Sequence, residues 1–176
     1  MLTKLKHMKK LLLIFAVTVI ATASLHAQSS KPVFSIGVEP ALPIGKFKDL
    51  GYNFGIGGSL QGEIKVANDL GLTLNAGYMN YSAKDITIGG STVNGGSFGV
   101  VPVLGGVKYY VSPKVYAHGQ LGAAIGTSSG SSTSFAYTPG IGFMLSKNFD
   151  VLLKYVGYSR KGENLNSIGA RLAYSF

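Results

Sequence analysis

The stretch Leu70-Gly-Leu-Thr-Leu-Asn-Ala-Gly-Tyr78 decides how the rest of the chain is read. Leu70, Leu72, Leu74, Ala76 and Tyr78 share one parity, and Gly71, Thr73, Asn75 and Gly77 the other. A period of two belongs to a β-strand, whose successive side chains point to opposite faces; a helix would bring apolar residues back every third or fourth position. The segment therefore has one apolar face and one small or polar face.

The same alternation continues on both sides. Upstream, Phe34, Ile36, Val38 and Leu42 alternate with Ser35, Gly37, Glu39 and Ala41. Next, Phe54, Ile56, Leu60, Ile64 and Val66 oppose Asn53, Gly55, Gly57, Ser59, Gln61, Glu63 and Lys65. Downstream, Val101, Val103, Val107 and Tyr109 form an apolar face; the other parity would put Lys108 on it. Val115, Ala117, Leu121, Ala123 and Ile125 oppose Tyr116, His118, Gln120 and Gly122, while Phe135, Tyr137, Ile141, Phe143 and Leu145 oppose Ala136, Thr138, Gly140, Gly142 and Ser146. The last two segments set Phe149, Val151, Leu153 and Tyr155 against Asp150, Lys154 and Tyr158, and Ile168, Ala170, Leu172, Tyr174 and Phe176 against Ser167, Gly169, Arg171, Ala173 and Ser175. These eight segments fill the chain beyond its first thirty residues, and none has helical periodicity longer than two turns.

The connections alternate in length. Tight turns are expected at 67–69, 112–114 and 147–148, and longer polar loops at 43–51, 84–96, 127–134 and 161–166. Within the second loop, 85–94 reads as a solvated connection, with a small hairpin built on Ile86, Ile88, Thr92 and Val93 as the alternative. Short turns at one end and long loops at the other are the arrangement of a transmembrane barrel. Closure follows because a sheet in lipid must pair every backbone N–H and C=O, and an open edge leaves a row of them bare. The predicted fold is all-β: an eight-stranded antiparallel up-and-down transmembrane β-barrel. Outward aromatics fall into two bands, Phe34, Tyr109, Phe149, Tyr174 and Phe176 near the periplasmic interface and Phe54, Tyr78, Phe135 and Tyr137 near the outer one. Amphipathic rings favour those depths.

The first residues explain how such a chain reaches a membrane. Lys4, Lys6, Lys9 and Lys10 precede an apolar run from Leu11 to Ile20 and the small residues Ala21 to Ser24. A basic segment followed by an apolar core too short to span a bilayer is a cleaved signal peptide. Residues 1–27 are assigned to it and 28–176 to the barrel domain, with cleavage after Ala27 or, alternatively, after Ala23. Without cysteine there is no thiol for a lipid anchor, a disulfide or a zinc–thiolate site. Loss of the leader takes the balance from 16 basic against 7 acidic residues to 12 against 7. The remaining basic residues form no stripe, so nucleic acid is not an expected partner.

The chain resembles the small eight-stranded outer-membrane barrels of the OmpA/OmpX-like kind, within the outer-membrane β-barrel domain family of porin-like proteins. The resemblance spans residues 33–176. It rests on Gly55, Gly57, Gly58 and Gly62 of the second strand, on Leu72 to Tyr78, on Pro102 to Tyr110, and on the closing strand ending in Tyr174, Ser175 and Phe176. It implies an outer-membrane location in a Gram-negative-type cell, a structural, adhesive or transport role, and no catalytic residues. Phe176 is similar to the terminal signal by which the barrel-assembly machinery recognises its substrates, which makes that machinery, with outer-membrane lipid, an expected partner.

The inward parity gathers Glu39, Glu63, Lys108, Lys154 and Arg171, with Asn75, His118 and Gln120 on the same face. An eight-stranded barrel is just wide enough for side chains to fill it or for one small ligand. A paired ionic cluster filling the lumen is the structural account of these residues; a narrow ion path is the functional one. Lys108 and Lys154 are both expected to face Glu63. His118 has no second histidine at ligand spacing, so neither metal nor another cofactor is expected. Gly126, Ser128 and Gly130 match a nucleophile pattern, but no helix follows and His118 precedes the serine, which argues against a hydrolase. Asn80-Tyr81-Ser82 is a glycosylation triplet without further support.

The expected function is a non-enzymatic outer-membrane scaffold that meets its surroundings, including any extracellular ligand, through its outer loops. A narrow porin-like channel is the alternative. A soluble periplasmic barrel holding a lipid would need the opposite arrangement, apolar inside and polar outside.

Overall fold

In the computed structural model, residues 31–84, 86–88, 91–93, 95–128 and 132–176 are described; the predicted leader lies outside them. The alternating segments form strands β1 (Val33–Ile44), β2 (Tyr52–Lys65) and β3 (Leu70–Ala83). After two short strands, β4 (Ile86–Ile88) and β5 (Ser91–Val93), come β6 (Ser97–Ser112), β7 (Val115–Gly126), β8 (Thr133–Met144), β9 (Phe149–Arg160) and β10 (Glu163–Ser175). Each long strand pairs antiparallel with its chain neighbours, and β10 returns to β1, closing the order β1-β10-β9-β8-β7-β6-β3-β2 into an eight-stranded barrel. Closure leaves no edge in lipid. The seam is in register from Ser35 opposite Ser175 to Ile44 opposite Asn166.

The outward parity is as read from the sequence. Ile36, Val38, Leu60, Leu74, Val107, Leu121, Ile141, Leu153 and Leu172 are all exposed, while the residues between them are largely buried. Apolar residues outside and polar ones inside suit a lipid solvent and rule out the lipid-filled soluble barrel. Near the termini, Phe149 packs on Tyr174 (ring centroids 4.9 Å apart), with Phe176 beyond it; at the other end Phe135, Tyr137 and Tyr155 form a row. The Phe176 N–H bonds Phe34 O at 3.0 Å.

At the terminal end the turns are tight: residues 66–69, 113–114 and 145–148. Ser112 and Ser146 brace two of them by accepting the N–H groups of Val115 and Phe149 through Oγ, both at 3.1 Å. The outer connections differ from expectation in two places. Residues 161–166 are no loop: Lys161 (φ 47°) and Gly162 (φ 85°) make a two-residue turn and β10 begins at Glu163. Positive φ at both central residues is the hairpin geometry whose twist matches the flanking strands. Beyond β3, Ile86 pairs with Val93 and Ile88 with Ser91, a separate two-stranded sheet in place of a plain loop.

The first outer connection holds a single helical turn, α1 (Lys46–Asp49), between Gly45 (φ 54°) and Gly51 (φ 94°). These positive φ values reverse the chain sharply on either side, a conformation that glycine adopts without a Cβ penalty. The turn thereby places Phe47 over the barrel mouth, completely buried.

Candidate functional site

Charged side chains converge in the lumen, whose inward positions follow from strand parity. Glu39, Glu63, Asn75, Lys108, His118, Gln120, Lys154 and Arg171 all face it and all are buried. Two ion-paired centres result. In the first, Lys154 Nζ lies 2.6 Å from Glu39 Oε2 and Arg171 Nε 3.5 Å from Glu39 Oε1. Ser59 links the pair, donating to Glu39 Oε1 at 2.5 Å and accepting from Arg171 Nε at 2.9 Å; Arg171 also reaches Ser35 Oγ at 3.1 Å. In the second, Lys108 Nζ donates to Glu63 Oε2 at 3.1 Å and Tyr110 Oη to Glu63 Oε1 at 2.6 Å. The expectation that Lys154 faces Glu63 is thus corrected. Parity sets the face of each residue, but the strand stagger sets its height, and it brings Lys154 of β9 level with Glu39 of β1 across β10.

A third carboxylate joins them. Asp150, inward by alternation but not assigned to the cluster from sequence, is buried and accepts the Tyr116 hydroxyl at 2.5 Å. The Tyr116 ring lies 4.0 Å beneath Lys108 Nζ, a cation–π contact. Among the described residues the buried charges are then Glu39, Glu63 and Asp150 against Lys108, Lys154 and Arg171, and they sum to zero. Isolated buried charge is costly, so neutrality is what a filled lumen requires. Between the centres, Thr138 donates to Gln120 at 3.1 Å and Gln120 approaches Gln61 at 3.4 Å. His118 Nε2 sits 3.0 Å from Thr73 Oγ1.

Three inward-facing positions assigned from sequence lie elsewhere; Ser146 is exposed in the turn after β8. Lys65 is exposed at the rim, its ammonium 4.9 Å from the Tyr110 ring, and Asn53 is exposed at a register shift in β2. Tyr81 of the glycosylation triplet is fully buried within β3.

Toward the outer end the lumen changes character. Ala41, Met79, Val100, Leu104, Ala124, Ala136 and Val156 line it, and Phe47 closes it, 4.7 Å from Tyr81 and 5.1 Å from Tyr52 by ring centroids. Tyr81 Oη meets Tyr158 Oη and Ser167 Oγ, each at 3.3 Å. Sequence alternation could not find Phe47, because it stands in a connection without periodicity.

Glycines make room for the large side chains. A Cβ at Gly142 would run into the Tyr116 ring, and one at Gly55 would lie 2.5 Å from Tyr81 Cδ1. A cavity of 10 Å³, about the size of one water, lies between the two halves of the lumen beside Asn75, whose Nδ2 has no protein partner. At the terminal end a vestibule of 590 Å³ opens beside Glu63, Lys65, Lys108, Tyr110 and Lys147.

Closed topology, a lipid-facing apolar band, two aromatic girdles and a polar interior define an integral β-barrel of the outer membrane. The chain belongs to the outer membrane protein beta-barrel domain family, whose profile matches residues 13–176. Similar solved structures include the Yersinia pestis outer membrane protein Ail in phospholipid nanodiscs, at 22% identity and a TM-score of 0.59, covering 83% of this chain and 100% of that one. The N-terminal β-barrel domain of Pseudomonas aeruginosa OprF has 13% identity and a TM-score of 0.53 over 84% of this chain and 100% of that one. Neisserial surface protein A has 15% identity and a TM-score of 0.50 over 85% and 100%. At these identities the likeness is one of fold. None of the curated protein sequences matches the chain.

Proposed function

We propose that the chain is a non-enzymatic scaffold of the outer membrane, displaying its outer turns and the β4–β5 hairpin to the exterior, rather than a channel. The observation that carries this reading is the filled lumen: two ion-paired centres, then a 10 Å³ gap, then an aromatic plug closed by Phe47. An ion crossing it would have to break at least one buried pair and displace the plug. Planar-bilayer recording of the refolded barrel is the test. Current no larger than that of the bare bilayer is expected; steady unitary openings altered by Lys154→Met would favour the channel.

Phe176 fits an assembly signal: it directly follows the closing strand, is 69% exposed and donates its N–H to Phe34 O. Phe176→Ala is expected to lower outer-membrane levels in cells while leaving refolding in detergent intact. Equal levels in cells would remove that role.

A further inference from the structure

A groove of 520 Å³ runs along the outer rim where β1 leaves the membrane. Leu42, Pro43 and Ile44 line it from the end of β1, and Lys48, Asn53 and Lys84 from α1, β2 and the end of β3. Its depth in the bilayer follows from register. Ala41 pairs with Gly55, which brings the lipid-facing Leu42 level with Phe54, an aromatic of the outer girdle. Leu42 therefore lies at the depth of the outer girdle, where acyl chains meet headgroups, and the lysines lie farther out, at headgroup depth.

The groove is held by backbone. Gly51 N–H bonds Lys48 O at 2.9 Å, and Lys84 N–H bonds Gly51 O at 3.0 Å, so α1 and the end of β3 are tied where the two lysines emerge. Lys46, on the same helical turn, is engaged 2.6 Å from Glu163. Among the described residues, Lys48 and Lys84 have no carboxylate at ion-pair distance. The outer connections of the sequence, 43–53, 84–96 and 160–163, hold five basic residues against three acidic ones. A cationic edge above an apolar wall at the membrane interface complements a lipid with an anionic head.

We propose that this groove is a binding site for a phosphorylated lipid of the outer leaflet, with acyl chains against Leu42 and Ile44 and a phosphate between Lys48 and Lys84. Lysine suits the place, because its stem lies along apolar surface while the ammonium stays at the head. Each juxtamembrane lysine adds roughly 1 kcal/mol toward anionic lipid, so the pair should favour the phosphorylated form by about 30-fold.

The test uses the refolded chain in phosphatidylcholine nanodiscs doped with diphosphorylated lipid A, with retained lipid counted by native mass spectrometry. Wild-type protein should retain lipid A about 30-fold better than Lys48→Ala/Lys84→Ala. A Lys114→Ala/Lys147→Ala control, altered at the opposite end, should match wild type. Should the groove variant fail to refold, wild type is compared on lipid A and its dephosphorylated form, and the same preference is expected. Equal retention by wild type and groove variant, equal retention of the two lipids, or equal loss in the control would each overturn the proposal. Displacement of lipid A by equimolar inorganic phosphate would also overturn it, since free anion and not lipid would then be the ligand.

Discussion

The two halves of the lumen fill the same cylinder by different physics. Toward the terminal end, hydrogen-bonded ion pairs occupy it; toward the outer end, aromatic and aliphatic side chains do. In the apolar half a lost side chain costs its transfer energy and a cavity, and neighbours can partly relax into the space. In the ionic half a lost partner leaves a charge buried alone, which no small relaxation repairs. The difference teaches that the apolar half supplies bulk, while the ionic half fixes which strands stand opposite one another.

The strongest way to break this comparison is Glu39→Gln. It leaves Lys154 and Arg171 facing a neutral amide, and a loss of about 3–5 kcal/mol is expected in urea unfolding of the reconstituted barrel. Adding Lys154→Met should recover part of that loss, because Arg171 keeps Ser59 and Ser35. A single-variant loss below about 1 kcal/mol would show that the pair contributes no more than a surface ion pair.

Phe47→Ala is next, with an expected loss of about 3 kcal/mol, the lower end for a buried phenylalanine. Bilayer current should stay at the baseline, since the ionic half still closes the barrel. Unitary openings in this variant would transfer the seal to the plug. A smaller effect, of opposite sign, comes from Lys161→Asn. Asparagine tolerates the positive φ of that turn better than lysine, and a gain of about 0.5–1 kcal/mol is expected in the same urea assay.

The smallest effect concerns the Lys46–Glu163 pair that ties α1 to the last outer turn. The hydrogen bond from Lys46, and then its charge, hold the Glu163 carboxyl below its ordinary range. A depressed carboxyl contributes stability that is present above its unfolded value and lost as pH falls through the folded one. The stability difference between wild type and Glu163→Gln should therefore be present near neutral pH and vanish in acid. A difference that grows on acidification would contradict the pairing.

How much of this was legible in the sequence depended on whether alternation reached the residue. Glu39 and Arg171 could be placed on the inner face from the alternation of their strands, and Lys108 because the other parity of its less regular strand would have turned a lysine toward lipid. The partner of Lys154 could not, because it depends on the barrel's stagger and not on any one strand. Asn164 and Asn166 looked like loop, yet β9 and β10 continue there, pairing Asn164 with Ser159 and Asn166 with Gly157; polar residues stand at the outward positions of β10, and the apolar alternation lapses. Phe47 was invisible for the same reason: its burial comes from two glycine-permitted reversals, not from periodicity.

The seam between β1 and β10 has a consequence for the order of events in assembly. Arg171 and Ser35 meet across 136 positions of sequence, so the contact forms only after the end of the chain has been delivered. Until then β1 and β9 would each present a raw edge to lipid, and the Glu39 carboxylate would have neither of its cations. Docking of one terminal strand thus completes the hydrogen-bonded ring and neutralises the interior together. Insertion should behave as an all-or-none latch, and a chain cut before Arg171 should stall unlatched rather than settle as a seven-stranded ring.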